Sequence, residues 1–367
     1  MDTVTKHITF DKATLPTISV CMIVKNEEKD LPRLLETIHD AVDEIIVVDT
    51  GSTDRTKEIA SAYKAKVYDF PWINDFSAAR NESLKYATKD YILWLDADDT
   101  IEKQDIAKLR FHIKNNIGTA IFIHLLDRRP NAEYVSIQLR AFPNHLGLKF
   151  SGKVHEQISL DVEKMGIKYS TCPIKVIHLG YDSLPSITGK LTRNINILLE
   201  ELKEKPDDYL VNLHLAKTYL GLEKIEESRP FTDKAVELVK QNKANVSKEN
   251  SFIAIMSKVT TLLHDKKVNE ALDFLEGLRP LFSGFPMFKY TIGEIYFRNK
   301  NYDKAYKDLL ILKGKSPDLG LVPINPHSMM KSLILFLVVS SLHVGDFRTA
   351  EYCIGNIVSD SKFKIKR

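Results

Sequence analysis

The sequence predicts an α/β domain on a Rossmann-like, mainly parallel sheet, followed by an all-α domain of helical repeats. Three observations predict it. Short β-rich runs alternate with helical patterns up to about residue 185, strand signals vanish from Thr188 onward, and helical hairpins then recur with a shared pattern. This divides the chain into an N-terminal extension (1–16), an α/β domain (17–185) and a helical domain (186–367).

The first strand is the apolar run Ile18 to Val24, followed by a helical stretch from Glu28 to His39. Strand Glu44 to Asp49, helix Asp54 to Lys64, strand Lys66 to Asp69, helix Phe76 to Ala87 and strand Tyr91 to Leu95 continue the alternation. Strands separated by single helices of this length require parallel pairing with right-handed crossovers. In the second half, a small or apolar residue is followed three positions later by an aromatic or polar one, and twelve later by a small one. The copies read Ala216, Tyr219, Ser228; Val259, Leu262, Ala271; Gly293, Tyr296, Ala305; and Val338, Ser341, Ala350. Each copy crosses a turn, and the Gly293–Ala305 copy resembles a tetratricopeptide repeat closely.

Composition narrows the classes. The chain of 367 residues has 44% apolar and 28% charged content, which suits two ordinary globular domains. A net charge of +3 with scattered basic residues argues against nucleic-acid binding. Cys21, Cys172 and Cys353 are far apart, which argues against a structural zinc or a disulfide framework and fits a reducing compartment. Cys21, inside a strand run, reads as a small buried hydrophobe. The polar start, Met1 to Lys12, does not read as a signal peptide, and the longest apolar run, Ser332 to Leu342, is below the ~18 residues that span a bilayer. A cytoplasmic protein without a membrane span is expected. The basic end, Lys362 to Arg367, reads as a solvated tail.

Chemistry concentrates where strands end. Tyr91 to Leu95 runs into Asp96, Asp98 and Asp99; the second strand ends in Asp49-Thr50-Gly51-Ser52; the first ends in Val24-Lys25-Asn26-Glu27-Glu28. Parallel pairing delivers all three tips to one sheet edge, where open α/β sheets bind ligands. Crowded carboxylates repel unless a cation neutralises them, and a hard divalent ion prefers one or two carboxylates plus phosphate oxygens. The competing reading of the Asp96 cluster is an acidic turn. A uracil N3–H and ribose hydroxyls need acceptors, which acid-tipped strands supply. Downstream, Val154-His155-Glu156 and Val176-Ile177-His178-Leu179-Gly180-Tyr181 add further candidates. Glu156 can act as a base, and His178 or His155 can complete a metal shell or orient a diphosphate. A core histidine is the alternative for His178. Trp72 can stack on a base or sugar, or plug the sheet edge.

The blocks ISVCMIVKNEE, EIIVVDTGSTDRT, WINDFSAARNESLKYA and YILWLDADD, in this order, resemble a family 2 glycosyltransferase of the GT-A fold. The resemblance implies a donor-binding set of Val24, Glu27, Asp49, Arg80 and Asp96. In it Asp49 meets uracil, Glu27 the ribose, Asp96 the ribose or donor sugar, and Arg80 the diphosphate or sugar. Asp98 would ligate Mg2+ or Mn2+, with His178, and Asp99 would be a supporting or turn residue. The resemblance also implies inversion at the anomeric carbon by one in-line displacement. The VHE and HxGY segments resemble the branch with C-terminal tetratricopeptide repeats that includes bacteriocin S-glycosyltransferases. That implies a UDP-sugar donor, a peptide or protein acceptor at Cys or Ser/Thr, and homodimerisation through the helical domain. Alternatives are a saccharide or lipid-linked envelope acceptor, or a non-catalytic repeat scaffold. A nucleotidyltransferase is disfavoured because its first loop would be glycine-rich and basic, not Lys25-Asn26-Glu27-Glu28.

Overall fold

The computed structural model describes residues 15–129, 132–179, 184–241, 248–282, 284–314 and 326–359. The alternation of the first half becomes β1 (Ile18–Val24), α1 (Leu31–Ile38), β2 (Glu44–Asp49), α2 (Thr56–Ala62), β3 (Lys66–Asp69), α3 (Phe76–Tyr86) and β4 (Tyr91–Trp94). Beyond them come β5 (Asp99–Thr100), α4 (Lys103–Asn115), β6 (Ala120–Arg129), β7 (Ala132–Pro143), α5 (Ser159–Lys164), β8 (Tyr169–His178) and α6 (Leu184–Glu204). Among the described residues these strands form one sheet in the order β3-β2-β1-β4-β7-β6-β8-β5. β3, β2, β1 and β4 are mutually parallel; β7 then runs antiparallel to β4 and β6, making the sheet mixed. This is the GT-A form of the Rossmann-like architecture.

The central strands are near-continuous apolar runs because helices cover both faces. β2 is buried along its whole length, whereas the edge strand β3 is exposed at both ends. α1 buries Leu31, Leu34, Leu35 and Ile38, one stripe at helical spacing, and has proline in its first turn. It starts at Leu31, three residues later than the pattern suggested, because Glu27 O accepts the Asp30 and Leu31 N–H groups in a turn. Asp75 caps α3 by accepting the Ala78 N–H. Cys21 is buried, and burial pushes its thiol pKa up.

The second half forms, among the described residues, four hairpins: α7 (Tyr209–Gly221) with α8 (Ile225–Lys240), α9 (Lys248–His264) with α10 (Val268–Phe282), α11 (Pro286–Arg298) with α12 (Tyr302–Leu309), and α13 (Pro326–His343) with α14 (Phe347–Ser359). Each motif copy straddles one hairpin. The turns share one closure: the N–H groups of Lys224, Lys267, Asn301 and Asp346 donate to the carbonyls of Tyr219, Leu262, Tyr296 and Ser341. Each has one left-handed residue before the donor, Glu223, Lys266, Lys300 or Gly345. Ser228, Ala271, Ala305 and Ala350 are buried where the paired helices meet. Gly293 admits Leu309 so closely that a Cβ would lie 2.6 Å from Leu309 Cγ.

Two compact units result, one through Glu204 and one from Lys205. The expected boundary after residue 185 differs by one helix. α6 belongs to the α/β unit because Lys153 donates to Glu201 and pairs with Glu204 on it, while Lys190 and Arg193 reach Asp98 and the Phe76 ring. No helix of the described residues is long and apolar enough to cross a membrane.

Candidate active site

After β4 the chain doubles back. Asp99 N–H donates to Asp96 O, and Asp99 Oδ2 accepts the Asp96 N–H at 2.9 Å. Asp99 then opens β5, which pairs antiparallel with β8 so that Asp99 faces His178. Leu179 N–H donates to Asp98 O, stitching the end of β8 to the acidic turn. The backbone thereby brings together Asp96, Asp98, Asp99 and His178, each with a ligand atom within 4.8 Å of the others. Gly180 and Tyr181 of the same motif lie outside the described residues.

The charges alternate along a chain. Arg80, on α3, bonds Glu156 Oε1 at 2.5 Å and Asp96 Oδ1 at 2.7 Å. Arg140, on β7, lies 3.5 Å from Asp96 Oδ2 and donates to Asp99 Oδ2 at 3.0 Å. His178 Nδ1 bonds Asp99 Oδ1 at 2.9 Å and lies 3.3 Å from Asp98 Oδ1; Lys190 Nζ lies 3.6 Å from Asp98 Oδ2. Trp94 stacks on both guanidiniums, 4.2 Å from Arg80 Cζ and 3.8 Å from Arg140 Cζ, and anchors its Nε1 on the Leu139 carbonyl.

Burial and neighbours tune these groups. Burial opposes the Asp96 charge, but Arg80 and Arg140 hold its carboxyl well below the usual range. Asp98 goes the other way: burial, then the charges of Asp96 and Asp99, raise it against His178 and Lys190. Burial works against an imidazolium at His178, yet the Asp99 hydrogen bond and the three acids push its pKa up to about 9. Glu27 is raised to about 7 by burial and then by Asp98. Burial also opposes the Arg80 charge, but Asp96 and Glu156 hold its pKa above the ordinary guanidinium value.

The remaining expected residues fall as follows. Asp49 is buried; its Oδ1 accepts the Gly51 and Ser52 N–H groups, while Oδ2 has no hydrogen-bond partner among the described residues. Val24 is buried, and its carbonyl is taken by the Thr50 N–H and hydroxyl. Trp72 donates to Asn74 and packs edge-on against Phe76. His155 is exposed and left-handed at φ 55. Arg140 and Lys190 were not anticipated: Arg140 interrupts an otherwise apolar Leu139–Phe142 run, the one hint available, and Lys190 sits on a helix assigned to the other domain. A second group, Glu226, His264 and Asp265 in the helical unit, is exposed and already engaged by Arg229.

The acids thus stand at the strand tips of the sheet, the edge at which open α/β sheets bind ligands. Residues 19–165 match the model of glycosyl transferase family 2. It is 35% identical over 175 residues to a TPR repeat-containing protein of Synechococcus elongatus, across 46% of this chain and 43% of that protein. This chain thus spans less than half of that relative's length. It is 29% identical over 312 residues to the SPbeta prophage-derived glycosyltransferase SunS of Bacillus subtilis, across 79% of this chain and 70% of SunS. Among solved structures, a glucosyl-3-phosphoglycerate synthase from Mycobacterium tuberculosis, in complex with Mn2+ and UDP, aligns with 48% of this chain and 80% of its own. The identity is 19% and the TM-score 0.37.

Proposed function

We propose that this chain is an inverting, divalent-cation-dependent glycosyltransferase that moves a hexosyl group from a UDP-sugar to a Cys or Ser/Thr side chain of a peptide or protein. The observation that carries the reading is the Asp96–Asp98–Asp99–His178 cluster at the strand ends of the domain that matches family 2. Its donor set suits Mg2+ or Mn2+: carboxylate oxygens with one imidazole. Asp98 and His178 would hold the ion. Asp99 bonds Nδ1 of His178 and would thereby orient the ring. When bound, the cation supplies positive charge to the donor's diphosphate.

The orphaned Asp49 Oδ2 supports a uracil N3–H contact, since a buried acceptor without a donor is otherwise costly. Glu27, half-buried beside Asp98, would face the ribose. Glu156 would take the proton of the acceptor's thiol or hydroxyl on Oε2, as Arg80 occupies Oε1. The acceptor's sulfur or oxygen then bonds C1 of the sugar, the C1–O bond to phosphate breaks, and UDP leaves with its electron pair. Asp96, neutralised by two arginines, would orient the donor sugar. The helical unit would dock the acceptor or a second copy, which suits an alignment with SunS running through both halves.

Intact-mass spectrometry of thiol-containing peptides incubated with the protein, UDP-hexoses and Mn2+ tests this. One added hexose, lost with chelator and lost on Cys→Ser in the peptide, is expected for thiol transfer; retention after Cys→Ser indicates oxygen. No metal-dependent UDP binding by the purified protein would overturn the reading.

A further inference from the structure

Two guanidiniums act on Glu156, and they are occupied differently. Arg80 is buried and already bonds both Glu156 and Asp96. Arg193, on α6, is exposed, and no acid among the described residues comes within ion-pair distance of it. Its head bonds the side-chain oxygen of its chain neighbour Asn194 at 3.3 Å and lies 4.9 Å over the Phe76 ring. Neighbouring atoms still crowd the guanidinium enough to lower its pKa, and the charge of Glu156 acts the other way. A cation partly stripped of water and lacking a counter-ion is unfavourable until an anion meets it. The ring beneath it is fixed. Phe76 opens α3; its N–H donates to the Lys153 carbonyl, and Ser77 Oγ donates to the Gly152 carbonyl. These bonds tie the first turn of α3 to the loop that carries Glu156, and Trp72 packs edge-on against Phe76 at 4.7 Å. Lys153 of the same loop anchors α6 through Glu201 and Glu204. Glu156, the Phe76 ring and Arg193 therefore share one frame.

We propose that Arg193, stacked on Phe76, selects the acceptor: it takes the carboxylate of an Asp or Glu about two residues from the Cys, Ser or Thr that receives the sugar. The proposal rests on the peptide-acceptor reading above and deepens it by naming the acceptor's charge. Phe76 and Arg80 lie one above the other on α3, four residues apart, a rise of about 6 Å. Arg193 covers the first and Glu156 bonds the second, so the two subsites are offset by about two residues of an extended peptide. Under the reading above the diphosphate sits with Asp98 and His178. Arg193 neighbours Glu156 instead, where the acceptor gives up its proton. A planar guanidinium held on a ring suits a carboxylate in particular. A neutral acceptor leaves that guanidinium unmet and a basic one is repelled, so this one position discriminates by charge.

Synthetic peptides with one central Cys, and Asp, Asn or Lys two positions to either side, test this with the full chain, Mn2+ and UDP-hexoses; a matched set carries Ser in place of Cys. Mass spectrometry reads the added hexose. The parent is expected to modify the Asp peptide with kcat/KM about tenfold or more above the Asn peptide, the difference lying in KM, and the Lys peptide least. Arg193→Gln is expected to bring the Asp and Asn peptides within about twofold of each other, and Arg193→Lys to keep most of the preference. Arg193→Glu is expected to turn the preference toward Lys. UDP affinity in saturating Mn2+, measured by calorimetry, is expected to stay within about twofold of the parent in each variant. Equal treatment of the three peptides by the parent, no turnover of any included, overturns the proposal. So does an Asp preference that survives Arg193→Gln, or a loss of UDP affinity of about tenfold in that variant, which would make Arg193 a donor residue. Should the parent bind no UDP in Mn2+, the donor reading fails and this proposal with it; UDP binding without charge preference removes the role of Arg193 alone.

Discussion

In the helical unit, several buried hydroxyls bond within their own helix: Thr218 to the His214 carbonyl, Ser257 to Ile253, Ser341 to Leu337. In the α/β unit, buried polar groups reach across the fold. Arg80 meets Glu156 over 76 residues of sequence, Arg140 meets Asp99 over 41, and His178 meets Asp99 over 79. A bond closed within one helical turn can be copied into every repeat and distinguishes none of them. A bond that exists only when the whole sheet has formed can hold a charge arrangement found nowhere else in the chain. The repeats provide surface by multiplication; the sheet provides chemistry by long-range closure.

Breaking the long-range set should therefore cost far more than breaking a local one. The largest effect belongs to Asp98→Ala, which is expected to lower UDP-sugar turnover about 10²–10³-fold in a UDP-release assay while the helical unit melts unchanged. Turnover near the parental level would remove Asp98 from the donor site. Next, Arg140→Met leaves the fully buried Asp99 short of a guanidinium. It is expected to destabilise the α/β unit by about 3 kcal/mol in urea titration, with the helical transition unmoved.

Acidity separates the units as well. Glu27 is raised to about 7 from 4.5 and His178 to about 9 from 6.5, so both hold protons more tightly folded than unfolded. Stability from Glu27 falls as pH rises through 4.5–7, and that from His178 as it rises through 6.5–9. In chelator, the α/β unit is expected to lose stability progressively as pH rises across these ranges, read from its melting transition. The helical unit should stay level there, since Glu276 and Asp346, held at about 2 by hydrogen bonds from Arg279 and Tyr306, titrate at lower pH. The smallest effect is Gly293→Ala. A Cβ at 2.6 Å from Leu309 Cγ outweighs the helix-propensity gain, and a net cost of about 1 kcal/mol should appear in the helical melt alone.

The same contrast governs what could be read from the chain. The bounds of β1, β2 and β3, and all four hairpins, were legible because apolar period and turn spacing are local signals. The carboxylates of Asp96 and Asp98 were legible because a strand end announces them. Arg140 was not: within a strand, an isolated arginine reads as a solvent-facing position, and the β4–β7 pairing that carries it to Asp96 and Asp99 is a long-range event. Asp99 read as a supporting or turn residue; it is fully buried and joins Arg140 to His178, a link that the sequence does not announce. The α6 helix matched the texture of the repeats, but its partners Asp98, Lys153 and Phe76 lie in the sheet domain, which no helical periodicity could announce.

The stacking of Trp94 against two guanidiniums has a spectroscopic consequence. The chain holds two tryptophans, Trp72 and Trp94, both in the α/β unit. Indole emission therefore comes entirely from that half, and the repeats are dark to it. One of the two emitters touches Arg80 and Arg140, the cations that neutralise Asp96 and Asp99. Any ligand that redistributes charge at those acids alters the field at that ring. The protein thus carries an unlabelled optical probe of its acidic cluster, to which the helical half contributes no indole.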